Sequence, residues 1–275
     1  MTPPRVRAAA AVLALVMSAC LFLPFLLSQG PDFQNLDEVS LGLSARHFFG
    51  TDHLGRDLLA RTLAGGRVSL LIGFLATLIS VLIGSSYGAL AALLGARRGE
   101  TMMRIVDVLY ALPFVLIVII FRTYRGQSLV NLFFALGLVS WLGTSRLVYG
   151  LVRVLRESDF VAASRLAGNS TGRIVLRHIL PNVSGPLIAQ ATLMVPGVMM
   201  EEAFLSFIGL GVQAPHASWG SLIQEGAQGM EVFPWMLAFP AGALVATLFA
   251  TNLLGDALQK RMDPRLGNRA DGAKP

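Results

Sequence analysis

The sequence predicts an all-α membrane protein with six transmembrane helices, and two observations carry that expectation. Of 275 residues, 54% are hydrophobic and only 14% charged, against roughly 25% charged in ordinary soluble domains, and the mean hydropathy is +0.64. The apolar residues also gather into six runs, at roughly 8–28, 68–95, 105–121, 129–151, 182–202 and 235–257. Each run approaches the about 20 residues that a helix needs to cross a bilayer, and little chain is left for a soluble domain.

The first run follows Arg5 and Arg7 and contains Cys20. A cysteine after Met17-Ser18-Ala19 could mark a lipoprotein, but Leu21-Phe22-Leu23-Pro24-Phe25-Leu26-Leu27 stays apolar where a mature lipoprotein turns polar, so an uncleaved span is expected. A single cysteine excludes an internal disulfide framework and a Cys-based zinc site. The polar connection 29–67 holds His47, Asp52 and His53, which could be drawn as a metal cluster; such spacing is common in polar loops, and a structural role is expected. The second run is longer than a span requires and should tilt or project. Its Ser80, Gly84, Gly88 and Ala92 form a smooth stripe that admits another helix closely, from a second subunit or, as expected here, from the same chain. Arg104 and Asp107 are spaced for a helix-end ion pair at the start of the third run. Arg146 sits near the end of the fourth, where it can snorkel to the headgroups. A second long polar connection, 152–181, precedes the fifth run, which ends on Glu201 and Glu202. The connection 209–234 carries no Lys or Arg, only Glu225 and Glu231 as charges.

An even number of spans puts both termini on one side. With that side cytoplasmic, fifteen of the Lys and Arg residues lie inside and six outside, with Arg146 within a span, so cytoplasmic termini are expected. The net charge of +6 and pI near 10.2 are therefore read as topology. Nucleic acid is not an expected partner, since only Lys260 and Lys274 are lysines and no basic-aromatic run is present. Neither lysine stands in a G-x-x-x-x-G-K-[ST] loop, and H-E-x-x-H and G-x-S-x-G are absent. No enzyme activity and no cofactor are expected. Ionisable groups lie near span ends rather than in a mid-membrane relay, which favours a conduit energised from outside this chain over the alternative, a stand-alone secondary carrier or channel.

The segment from Asp159 to Asn182 reads as a helix, a break and a second helix. Ser158 or Asp159 can cap the first, Ala162, Ala163 and Ser164 offer a face that a partner can approach, and Gly168-Asn169 supplies a residue tolerant of positive φ at the turn. Ser170 or Thr171 can cap the second, with Ile174, Val175, Ile179 and Leu180 facing apolar surroundings and Arg173 and Arg177 facing water, before Pro181 begins the next span.

This stretch resembles the EAA loop of binding-protein-dependent ABC importer permeases, E-A-A-x-x-x-G followed by I-x-L-P. Ala163 and Ser164 take the small positions, Gly168 the glycine, and Leu180-Pro181 the L-P; Ala162 replaces the glutamate and His178 the isoleucine. Further motifs are similar to the dipeptide, oligopeptide and nickel class of that family, to its "C"-type subunit: His47-Phe48-Phe49-Gly50-Thr51-Asp52-His53-Leu54-Gly55-Arg56-Asp57, Arg104-Ile105-Val106-Asp107 with Ala111-Leu112-Pro113, Glu202 to Gly211 with Ser218-Trp219-Gly220, and Asn252-Leu253-Leu254-Gly255-Asp256 with Asp263-Pro264-Arg265-Leu266.

The resemblance implies the type I ABC importer permease fold in a bacterial inner membrane. It divides the chain into an N-terminal span with external loop (1–67), a permease core (68–257) carrying the coupling loop at 152–181, and a cytoplasmic tail (258–275). It implies as partners a second permease subunit, two ATPase subunits that hydrolyse ATP and an extracytoplasmic solute-binding protein. By the same analogy Asp159, Phe160, Ala163, Ser164, Leu166, Gly168, Asn169, Ser170, Arg173 and Pro181 form the ATPase-coupling loop. Glu201, Glu202 and Trp219 are candidates for an outer gate or binding-protein face, with structural roles equally open for the two carboxylates. Peptides are the leading solute.

Overall fold

Each apolar run folds into helix, but the helices do not end where run length alone would end them. The structure is a computed structural model that describes residues 4–27 and 29–262; the Asp263-Pro264-Arg265-Leu266 motif and the rest of the tail lie outside the described residues. Helix α1 spans Pro4–Phe22 and tightens into a 3-10 turn, Leu23–Phe25, around Pro24. Helix α2 runs Leu58–Leu93, 36 residues, or about 54 Å at 1.5 Å per residue. It therefore outreaches a hydrocarbon core of about 30 Å. It starts well before residue 68 because Asp57 caps it, accepting the Ala60 amide at 2.8 Å.

The third run is not one straight span. It divides into α3, Ala96–Tyr110, and α4, Phe114–Arg125, bent by 86°. Pro113 offers no amide and disfavours helix at Leu112, so the chain turns there. The twelve residues of α4 cover only about 18 Å. Among the described residues five helices are long and apolar enough to cross a membrane, six if the bent pair counts as one span. Helix α3 buries Gly99, Met103 and Val106 and exposes Arg97, Arg98, Glu100 and Arg104. It packs across α5, Leu129–Arg156, so Asp107 pairs with Arg146 rather than with Arg104. The Arg146 guanidinium also lies 4.8 Å from the Tyr110 ring centre.

Helix α6, Asp159–Leu166, and α7, Thr171–Ile174, form a hairpin. Pro181 does not open a separate span: α7 continues through a π turn, Val175–Ile179, into α8, Leu180–Phe207. The wider π turn relieves the carbonyl that the proline ring would meet one turn back. Helix α9, Trp219–Gln228, lies within the connection 209–234, and α10 spans Pro234–Met262.

The small-residue stripe packs against α5 of the same chain. A Cβ on Gly84 would lie 2.6 Å from Thr144 Cβ, and one on Gly88 2.3 Å from the Ser145 carbonyl, while Ser80 Oγ and Thr144 Oγ1 share a hydrogen bond of 3.3 Å. Ile72, Ala76, Val118, Leu132, Leu136, Val198 and Leu205 fill the middle of the bundle. Large apolar side chains on the outer faces, Phe74, Leu82, Val245 and Phe249 among them, are exposed, as lipid rather than water requires. Residues 29–57, the starts of α2 and α10, and α9 meet at one end. The α6–α7 hairpin and the end of α2 meet at the other, where Ala92 shares a cluster with Val161 and Ile174.

Candidate functional site

At the hairpin end, Val161, Ile174 and Ile179 are buried against Val148, Val152 and Ala92, which fixes α6 and α7 to the bundle. The turn between them is closed by backbone bonds from Asn169 N to Ser164 O (3.2 Å) and from Gly168 N to Arg165 O (2.9 Å), with Gly168 at φ +80°. This is the Schellman arrangement that glycine adopts at low cost. The Asn169 amide reaches back to Ser164 O (3.2 Å) and Oγ (3.1 Å), and Arg173 Nη1 donates to Asn169 Oδ1 at 3.3 Å. Ser158 and Ser170 occupy the N-cap positions but neither side chain caps; Ser158 Oγ donates to Leu155 O instead. Asp159 remains in the first turn, where its charge suits the helix dipole.

Among the described residues none covers the hairpin's outer face, which presents apolar side chains beside polar ones. Leu166 is 91% exposed and Phe160 43%, and Ala162, Ala163, Gly168, Ser170, Arg173 and Pro181 are exposed as well. Leu180 is 49% exposed and, among the described residues, belongs to none of the buried clusters.

At the opposite end the His47–Asp57 motif is knit together by hydrogen bonds and ion pairs. Among the described residues no group of His, Cys, Asp and Glu is arranged for a metal. His47 Nδ1 meets Asp57 Oδ2 at 2.8 Å. Asp52 accepts from Arg56 Nε at 2.6 Å, from Arg61 Nη1 at 2.7 Å and from the amides of Leu54 and Arg56. Arg61, 3% exposed, also holds Glu225 of α9, with Nη1 to Oε2 at 2.5 Å and Nη2 to Oε1 at 3.2 Å. Burial pushes the Asp52 carboxyl up, but the Arg56 amide, the Arg61 charge, the Leu54 amide and the Arg56 charge outweigh it and hold the group below the ordinary carboxylate value. Gly55 sits at φ +67°, and a Cβ there would fall 1.7 Å from the Asn35 carbonyl.

The gate candidates separate. Glu202 is fully buried, accepting from Ser69 Oγ at 3.2 Å and Ser206 Oγ at 2.6 Å. Trp219 is buried beside it, its amide donating to Ser69 Oγ at 3.0 Å and its Nε1 to Thr62 O at 2.8 Å. These two residues tie α2, α8 and α9 together. Both carboxylates lie within α8 rather than at its end, which reaches Phe207. Glu201 instead lines a cavity of about 390 Å³ with Tyr110, Ser140, Thr144, Gln190 and Met194. Gln190 was open to sequence reasoning as a polar residue inside an apolar run; Tyr110 and Thr144 were not, because only the bend after α3 brings them to one cavity.

A family model described as "Binding-protein-dependent transport system inner membrane component" matches residues 80–268. The chain is 45% identical to the oligopeptide transport system permease protein OppC of Haemophilus influenzae, over 84% of this chain and 74% of that protein. It is 44% identical to the dipeptide transport system permease protein DppC of Bacillus subtilis, over 88% of this chain and 76% of that protein. Its fold is similar to a solved chain of the MetNI methionine ABC transporter in an inward-facing conformation. That match has a TM-score of 0.60 and 19% identity, covering 74% of this chain and 96% of the other.

Proposed function

Because the chain belongs to the binding-protein-dependent transport system inner membrane components and is an ABC transporter permease subunit, we propose that it forms half of a peptide import pathway driven through its 159–181 loop. In this reading it pairs with a second permease subunit. Two separate ATPase subunits hydrolyse ATP beneath the hairpin, and an extracytoplasmic binding protein delivers the peptide to the end built by 29–57 and α9. The peptide assignment rests on the oligopeptide and dipeptide permeases among its relatives. Cytoplasmic termini follow from the arginine bias, which puts the hairpin on the ATPase side.

The observation that carries the reading is the hairpin itself: exposed Leu166 and Phe160 on a helix whose other face is anchored by buried Val161. A partner groove that grips the exposed face moves α5 and α8 with it, so nucleotide state biases which end of the pathway is open. Gly168→Pro cannot hold φ +80°, and Ala163→Trp projects from an exposed position onto whatever covers the helix. Both variants should insert and assemble yet lose ATP-driven uptake in a reconstituted complex. Wild-type uptake by both would overturn the assignment.

A further inference from the structure

Glu201 and Glu202 are neighbours in α8 with opposite fates. Both oxygens of Glu202 are hydrogen-bonded inside the packing. Glu201 lines the cavity of about 390 Å³ as the one charged side chain there among the described residues; Ser140 hydrogen-bonds to its carboxylate, and its buried Oε2 has no hydrogen-bonding partner. Among the described residues none of the ion pairs includes Glu201. A carboxylate inside a membrane span without a counter-ion is costly to keep, and such groups mark solute or ion pathways. The cavity falls in the size range of small-molecule sites, about 300–1,000 Å³, with apolar walls and a few polar groups, as such sites have.

We propose that Glu201 is a cation site within the pathway that binds the protonated amino group of the peptide in transit. This inference rests on the peptide-import reading. Peptides of every sequence share an α-ammonium, so one carboxylate can serve them all while Leu112, Phe114 and Met194 give the side chains apolar surroundings without selecting among them. Among the described residues the lining offers no cation for the peptide's carboxylate end, so the amino end is the one it recognises.

The test is ATP-driven uptake by the complete reconstituted complex, with one binding protein throughout, of trialanine and of N-acetyl-trialanine. The binding protein's own preference is common to every variant, so a change in the ratio of the two rates belongs to the permease. Loss of one charge-assisted hydrogen bond corresponds to about a tenfold effect. Glu201→Gln should lower the preference for the free amine about tenfold, and Glu201→Asp, which keeps the charge, should retain it. An unchanged ratio in Glu201→Gln overturns the proposal. So does loss of the second permease subunit on purifying Glu201→Gln, which would show that the carboxylate pairs with a partner's cation. Absence of ATP-driven uptake of either peptide by the wild type overturns the import reading, and this inference with it.

Discussion

Arg61→Met removes the cation at the centre of the ion network that joins the 29–57 segment, α2 and α9. Truncating one member of a buried ion pair costs about 3–5 kcal/mol when the other charge is left stranded. Neither acid is fully stranded here. Asp52 keeps Arg56 Nε at 2.6 Å and two backbone amides, while the Glu225 side chain is 35% exposed and lies 3.7 Å from Arg56 Nη2. The cost should therefore fall to about 2–3 kcal/mol, at or just below the low end of that range. At about 2–4 °C per kcal/mol for a chain of this size, detergent-purified protein should lose roughly 5–10 °C of melting temperature, read by size-exclusion after heating. Arg61→Met combined with Glu225→Gln should lose less than the sum of the single changes by about 1–2 kcal/mol, because the two share one contact. A single variant within about 1 °C of wild type, or strict additivity in the double variant, would refute the claim that Arg61 holds α9 in place.

Asp52 gives the same end of the molecule an acid limit. Its folded value is depressed, so its contribution is complete above the unfolded carboxylate value of about 3.9 and is lost as pH falls through the folded value. The melting temperature should be insensitive to this group from neutral pH down to about pH 5 and should drop below about pH 4, with a smaller acid-dependent drop in Asp52→Asn. Gly88→Leu should destabilise the chain by at least about 1–3 kcal/mol through overpacking, since its Cβ would meet the Ser145 carbonyl at 2.3 Å. Gly150→Ala, with nothing within 4 Å of the added Cβ, should leave the melting temperature unchanged or raise it, and equal losses in both variants would contradict the α2–α5 seam.

That seam was legible because four small residues one helical turn apart can serve only a close helix neighbour. The α6–α7 hairpin was legible for a similar reason, since Gly168 stood where a positive φ was needed and φ is +80°. Counting apolar residues measures how much chain lipid accepts but not its direction, so the 86° turn at Pro113 passed as a continuous span. The capping box of Ser218 and Ser221 and the buried Trp219, Leu222 and Gly226 of α9 were there to read, though a connection almost free of charge hid them. The Arg61–Glu225 pair spans a separation of 164 residues and leaves no local signal. Adjacent glutamates look alike in a sequence. On a helix they point about 100° apart, and only the neighbours decide that one is packed away and the other faces a cavity.

If an ATPase grips α6, a probe placed there should reach it; Cys20, the only cysteine, is buried, so a cysteine introduced at Leu166 supplies an exposed thiol for a photoactivatable cross-linker. In the complex assembled with its ATPase subunits, label at 166 should yield an adduct with the ATPase whose yield changes with bound nucleotide. Label at Val232, 67% exposed near the opposite end, should yield none. An ATPase adduct from 232 and none from 166 would contradict the account.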